Sequence, residues 1–219
     1  MNPMDKAEVL QRMSSCGVVA VIRAPSKDVL VDISRALLAG GVISIEVTMS
    51  TPDAIKGIEL LAKQFADDAL VGVGTVLDAK TASDALAAGA QFVVSPAFDA
   101  EVVKTVNRAN VVCIPGAFTP TEILRAHHGG ADIVKVFPST ALGSGYFKDI
   151  LAPLPFLKLT PTGGVDAKNA GAWIKAGAVC VGAGSSLVSK DALSKRDWAA
   201  ITANAKEFIR AIEDARSSK

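Results

Sequence analysis

Two charged residues lie in runs apolar enough to be buried strands. Lys135 sits within Ala131-Asp132-Ile133-Val134-Lys135-Val136-Phe137-Pro138, and Glu46 within Ile43-Ser44-Ile45-Glu46-Val47. An ammonium taken out of water loses its hydration, so a buried lysine is driven toward its neutral amine, and a neutral amine is a nucleophile toward carbonyls. A carboxylate in the same pocket can move protons to and from a carbinolamine, a substrate hydroxyl and an enamine carbon. From the residues alone two readings stand. Each charge satisfies the other in a structural ion pair, or the pair is a nucleophile with its general acid/base. Lys135 taken singly also fits a strand-end lysine that snorkels to solvent.

Other chemistry is limited by what is missing. The histidines are His127 and His128, adjacent, just before Gly129-Gly130 at what reads as the last turn of a helix, where a cationic side chain is favoured and neighbours do not share a face. Both read as surface residues, which leaves no histidine for a Ser-His-Asp triad or for a histidine-bound catalytic metal. Two glycine clusters, Thr162-Gly163-Gly164 and Gly182-Ala183-Gly184-Ser185-Ser186, follow the last two strand candidates. Glycines there let backbone N–H groups converge on an anion, at the two loops where barrels often hold phosphate. A single Gly-Gly turn would mean little, since turns need glycine anyway.

These residues must be positioned by a scaffold, and the sequence alternates strand and helix patterns without a linker-like break. Strand candidates are 18–23, 43–48, 70–75, 92–96, 111–115, 133–137, 157–162 and 178–182; helical patterns between them include 27–39, 52–65, 79–88, 120–127 and 167–176, with a terminal helix over 198–215. This rhythm predicts a parallel sheet. Gly40-Gly41, Gly89, Gly129-Gly130 and Gly177 each separate a helix pattern from the next strand, the expected left-handed helix stop. About eight such units predict a closed (β/α)8 TIM barrel, read as one domain over residues 1–219 with an N-terminal and a C-terminal helix. An open sheet would carry a glycine-rich fingerprint after its first strand, and residues 18–25 have none.

In a barrel the working face is at the strands' C-terminal ends, and the polar residues there are Arg23, Glu46, Thr75, Lys135 and Thr162. Strand alternation puts Lys135 on one face with Ile133 and Phe137, pointing inward, while Val134 and Val136 face the helices.

Composition agrees with a buried α/β core: of 219 residues, 50% are hydrophobic and only 5% aromatic. A net charge of +1 with interspersed signs and no basic stripe argues against nucleic acid as a partner. No apolar run is long enough to cross a bilayer, and the stretch Met1-Asn2-Pro3-Met4-Asp5-Lys6 leads into polar sequence rather than a secretory signal core. Cys16, Cys113 and Cys180 are odd in number and widely spaced, as reduced cysteines of a cytoplasmic protein would be.

The motifs Ile45-Glu46-Val47-Thr48, Gly72-Val73-Gly74-Thr75-Val76-Leu77, Val94-Ser95-Pro96, Ile114-Pro115-Gly116, Val134-Lys135-Val136-Phe137-Pro138 and Pro161-Thr162-Gly163-Gly164-Val165, in this order, resemble those of the 2-keto-3-deoxy-6-phosphogluconate (KDPG) aldolases. The resemblance runs from Val18 to about Leu187. It implies a class I Schiff-base lyase on a homotrimeric barrel, acting on a phosphorylated 2-keto-3-deoxy sugar acid with pyruvate as a product and without metal or organic cofactor. It further implies that Lys135 is the Schiff-base lysine and Glu46 the acid/base. Thr75 and an arginine would hold the pyruvoyl carboxylate, Pro96 and Phe137 would line the pocket, and Gly163, Gly164, Gly184 and Ser185 would hold the phosphate. Some members place that arginine four residues after the glutamate, where this chain has Ser50; another branch carries it at the end of strand one, as Arg23 does here. Thr162 matches the gluconate-type enzymes, where the related phosphogalactonate aldolases carry valine. Three alternatives remain at this stage: the same chemistry on 4-hydroxy-2-oxoglutarate or the galactonate epimer, a phosphate-binding barrel isomerase, and a non-catalytic binder.

Overall fold

A computed structural model describes residues 4–218; Met1, Asn2 and Pro3 of the N-terminal stretch and Lys219 lie outside the described residues. Among the described residues nine strands follow one another in parallel: β1 (Val18–Ile22), β2 (Ser44–Thr48), β3 (Leu70–Gly74), β4 (Phe92–Val94), β5 (Val112–Ile114), β6 (Gly116–Ala117), β7 (Val134–Val136), β8 (Leu159–Pro161) and β9 (Val181–Ala183). Pro115, which has no N–H to give, separates β5 from β6, so these two make one stave and the staves number eight.

The pairing runs β5-β4-β3-β2-β1-β9 in one continuous sheet and β6-β7-β8 in a second. The sheets join on one side through the parallel bridge Thr162↔Gly182, and on the other through the Lys135 N–H donating to the Pro115 carbonyl at 2.9 Å. The result is a closed (β/α)8 barrel, as the alternating pattern predicts.

Helices α1 (Lys6–Cys16), α2 (Leu30–Ala39), α3 (Ala54–Gln64), α4 (Ala79–Ala87), α5 (Ala100–Arg108), α6 (Pro120–His128), α7 (Gly145–Leu151), α8 (Ala167–Lys175), α9 (Lys190–Lys195) and α10 (Trp198–Ser217) surround it. Local chemistry sets their ends. Thr119 and Glu122 form a reciprocal capping box at α6, and Asp166 and Asn169 form another at α8. The expected helix stops are left-handed at Gly41, Gly89, Gly130 and Gly177. Residues 27–29 form a separate 3-10 turn before α2, whose pattern had read as one helix. Helices α5, α7 and α9 add to the patterns named from the sequence. The terminal helix α10 packs on this barrel's own α2 and α8, closely enough that a Cβ at Gly40 would meet the Ala205 Cβ at 2.3 Å.

Strand alternation creates two apolar shells. Outward side chains such as Ala20, Ile45, Val47, Val73, Val134 and Val136 pack under the helices. Inward ones, including Val19, Leu70, Phe92, Val112, Ile133 and Cys180, fill the lower barrel, closed from below by Val9 and Met13 of α1. Lys135 follows Ile133 on the inward face, as expected. The three cysteines are free; Cys113 and Cys180 are buried, and burial pushes their thiols up to about 12. No described helix is long and apolar enough to cross a membrane.

Candidate active site

Glu46 is carried by β2 and Lys135 by β7, and both side chains are buried, with 2% and 5% of their surfaces exposed. Burial at those levels is what moves their proton equilibria. Burial raises the Glu46 carboxyl above its ordinary range, against the opposing charges of Lys135 and then Arg23. Burial lowers Lys135, Glu46 opposes that shift, and Arg23 adds to it. Desolvation is the leading cause for both residues, so burial pushes the amine and the acid alike toward their neutral forms.

No ion pair within 4.0 Å joins these two side chains among the described residues. Glu46 Oε1 is buried without any hydrogen-bond partner among the described residues. A structural ion pair would be in contact and satisfied, and this pair is neither. The Lys135 ammonium nitrogen instead lies 4.9 Å from the centre of the Phe137 ring. A half-buried aromatic face therefore roofs the amine.

Phe137 also stands between two cavities at the C-terminal end of the barrel. One, about 240 Å³, is lined by Arg23, Phe137, Thr162, Gly163, Gly164, Gly184, Ser185 and Asp166 among others. The other, about 340 Å³, is lined by Pro96, Phe98, Phe118, Glu122, Arg125 and Phe137. The first collects seven of the eleven residues singled out from the sequence, and Pro96 lines the second. Gly163 and Gly164 have φ of 95° and 70°, conformations that a side chain would strain, and both line this cavity. Arg23 is exposed, and its guanidinium comes so near Gly184 that a Cβ there would lie 3.2 Å from it. The arginine assigned to the carboxylate thus shares a cavity with the glycines assigned to the phosphate.

Thr75 is set apart. It follows β3, is half-buried, and lines neither of these two cavities. Its φ of 63° is a left-handed conformation that a β-branched residue adopts only when its surroundings enforce it. Ser50, at the position where some members carry arginine, shares a 2.8 Å hydrogen bond with Thr48. His127 and His128 end α6 and line neither cavity, and the His127 ring lies 5.1 Å from that of Phe156.

Several residues of the site were not singled out. Ser139 Oγ donates to the Val136 carbonyl at 2.7 Å and accepts from the Thr162 N–H at 3.2 Å, strapping the end of β8 to the loop after β7. Asp166 faces the glycine cavity while its Oδ1 caps α8; the Asp-x-x-Asn capping pattern was its only sequence signal. Among the described residues, no cluster of three or more His, Cys, Asp or Glu side chains is arranged to hold a metal.

The chain matches the family model for KDPG and KHG aldolase over residues 9–204. It is 35% identical over 206 residues to 2-dehydro-3-deoxy-phosphogluconate aldolase of Treponema pallidum, covering 94% of this chain and 96% of that relative. It is 30% identical over 179 residues to 2-dehydro-3-deoxy-6-phosphogalactonate aldolase of Escherichia coli, covering 81% and 87%. Among solved structures, KDPG aldolase from Legionella pneumophila, with pyruvate captured as a covalent carbinolamine intermediate, superposes with a TM-score of 0.84 at 32% identity, covering 90% of this chain and 96% of that one. The closed barrel, the buried amine with its acid partner, and these matches along nearly the whole sequence place it: the chain belongs to the KDPG and KHG aldolase family and is a carbon–carbon lyase.

Proposed function

We propose that the chain is a class I aldolase cleaving 2-keto-3-deoxy-6-phosphogluconate to pyruvate and glyceraldehyde 3-phosphate, with Lys135 as the Schiff-base nucleophile and Glu46 as the proton carrier. The observation that carries this reading is a lysine and a glutamate, both buried and both pushed toward neutrality, without a contact ion pair. Neutral Lys135 adds to the C2 ketone, and the protonated Glu46 gives the carbinolamine hydroxyl the proton it needs to leave as water. The iminium then accepts the electron pair of the C3–C4 bond while Glu46, now a carboxylate, takes the C4 hydroxyl proton. Glyceraldehyde 3-phosphate departs, the enamine is protonated at C3, and water releases pyruvate and the free amine.

The cavity beside Phe137 gathers Arg23, Thr162, Gly163, Gly164, Gly184 and Ser185, a grouping that supports its reading as the pocket for a polar substrate. Gly163, Gly164, Gly184 and Ser185 are assigned to the phosphate. Arg23 and Thr75 are assigned to the carboxylate, and Pro96 and Phe137 to the pocket wall. Thr162 supports the gluconate epimer over the galactonate. The same residues without a phosphate to hold would serve 4-hydroxy-2-oxoglutarate, and specificity constants for the three substrates separate these readings. The reading is tested by intact mass after pyruvate and borohydride: a reduced adduct mapped to Lys135 is expected, and its absence from folded protein in excess pyruvate overturns the mechanism. The resemblance also carries a homotrimer working in the cytoplasm; sedimentation showing a monomer at every concentration would end the trimer.

A further inference from the structure

Two glycines on the inward face of β3 leave room for different things. A Cβ at Gly72 would fall 2.4 Å from the Phe92 ring, whereas a Cβ at Gly74 would fall 1.8 Å from Glu46 Oε1, 2.5 Å from its Cδ and 2.7 Å from its Cγ. Gly72 admits a core ring, and Gly74 admits the carboxylate. Neither glycine has a positive φ, so the backbone itself would accept alanine. What alanine would remove is space.

Among the described residues, no hydrogen-bond donor holds Glu46 Oε1. The location of that oxygen is therefore set by walls. We propose that Gly74 is a positioning residue for Glu46: the missing side chain at 74 is the seat of the carboxylate and fixes its placement relative to Lys135. A Cβ needs about 3.4 Å to its neighbours for ordinary contact, so Gly74→Ala forces the carboxylate from Cγ outward to a new place. The displaced group is the end of a flexible side chain, so the fold can absorb this change while the proton transfers cannot.

This inference rests on Glu46 being the proton carrier, and the experiment separates the two. Glu46→Gln, Gly74→Ala, Glu46→Asp and the double variant Gly74→Ala/Glu46→Asp are compared in melting temperature, kcat, KM, pH profile and yield of the borohydride-trapped pyruvate adduct, with Gly72→Ala as a control for overpacking. Gly74→Ala is expected to keep the Lys135 adduct on long incubation, hold KM within about threefold and lose about 10²-fold in kcat, the size of a lost proton transfer. Shortening the carboxylate by one methylene removes the atom 1.8 Å from the new Cβ and leaves only the milder approaches at the Cδ and Cγ positions, so Gly74→Ala should cost less in the Glu46→Asp background and the double variant should exceed the product of the two single losses by about tenfold. Gly72→Ala should lower the melting temperature and leave the pH profile of the folded enzyme in place. Wild-type kcat and pH profile in Gly74→Ala, with Glu46→Gln inactive, overturn the positioning role alone, as does simple multiplication of the two single losses. Full activity in Glu46→Gln overturns both readings. Should Gly74→Ala fail to fold, Glu46→Ala/Gly74→Ala must fold better, and equal instability of the two shows that position 74 is not the carboxylate's seat.

Discussion

At the N-terminal end of the barrel the inward residues are Val19, Leu70, Phe92, Val112, Ile133 and Cys180, with Val9 and Met13 of α1 beneath them; toward the C-terminal end β2 and β7 present Glu46 and Lys135 on the same inward faces. Burial is nearly complete in both layers: Met13 is 0% exposed and Lys135 5%. Its energetic sign differs. Below, each apolar side chain removed from water stabilises the fold by roughly 1.5–3 kcal/mol. Above, burial works against the ionised forms of Glu46 and Lys135 and pushes the amine toward its neutral, nucleophilic form. Volume does not mark the difference, because a cleft of about 510 Å³ opens beside α1 with Met4, Lys6, Glu8, Asp67 and Gln91 on its walls, larger than either of the two cavities that Phe137 lines. The contrast in burial chemistry marks it.

If the upper layer serves chemistry and the lower layer serves stability, substitutions in the two should split. Lys135→Met gives the largest effect: turnover and adduct formation fall to the assay floor, while the melting temperature at neutral pH stays equal or rises, since a disfavoured buried ammonium is gone. Glu46→Gln comes next, with kcat reduced by about 10²–10⁴-fold, binding of pyruvate retained and the fold intact. Met13→Ala should do the reverse. It opens a cavity in the lower core and costs about 2–5 kcal/mol of stability, read by urea unfolding, with kcat per folded molecule unchanged. A Met13→Ala enzyme that loses kcat with its stability untouched would erase the proposed division.

How much of this was legible in the sequence follows the same line. Lys135 and Glu46 stood out because a charge inside an apolar strand violates the local pattern, and alternation put Lys135 on the inward face where it lies. The glycine loops were legible because their spacing after the last strands repeats. Gly74 was not, since in sequence a glycine that admits a carboxylate is the same letter as one that admits a turn; only the 1.8 Å approach tells them apart. Thr75 was read as the last inward residue of its strand, but alternation through Gly72 and Gly74 ends at its left-handed φ, which no residue pattern announces. Asp99 caps α5 through the Val102 N–H at 2.8 Å, a helix start ahead of the short apolar stripe Val102, Val103 and Val106. The Ser139 strap joins residues 23 positions apart, a contact made by closure of the barrel.

The opposing sign of burial in the upper layer can also be read from pH. Lys135 is lowered from 10.5, chiefly by burial, so between its folded value and 10.5 the unfolded chain binds more protons than the folded one. Stability then rises with pH across that window and is level above it. Glu46 is raised from 4.5, again chiefly by burial, so the folded chain holds the extra proton from 4.5 up to its folded value, and stability falls as pH rises through that range. Measuring unfolding free energy of wild type minus Lys135→Met from about pH 7 up to 10.5 isolates the first slope, which should be positive; a flat difference would mean that the lysine is as easily charged in the fold as in water.

The smallest effect tests Arg23, whose charge lowers both Glu46 and Lys135. Arg23→Met removes that field, so both groups should titrate at higher pH. Because the two are coupled, the observable is the pair's profile, and both limbs of kcat/KM should move upward together. High salt should shrink the shift only partly, since Arg23 is exposed but its targets are buried. A rise in KM is expected in the same variant, because Arg23 shares the cavity with Gly163, Gly164 and Gly184. KM and pH profile thus report different things. A rise in KM with both limbs unmoved would make Arg23 a substrate clamp that leaves the buried pair alone, and the upper layer's tuning would then rest on burial and on the mutual field of Glu46 and Lys135.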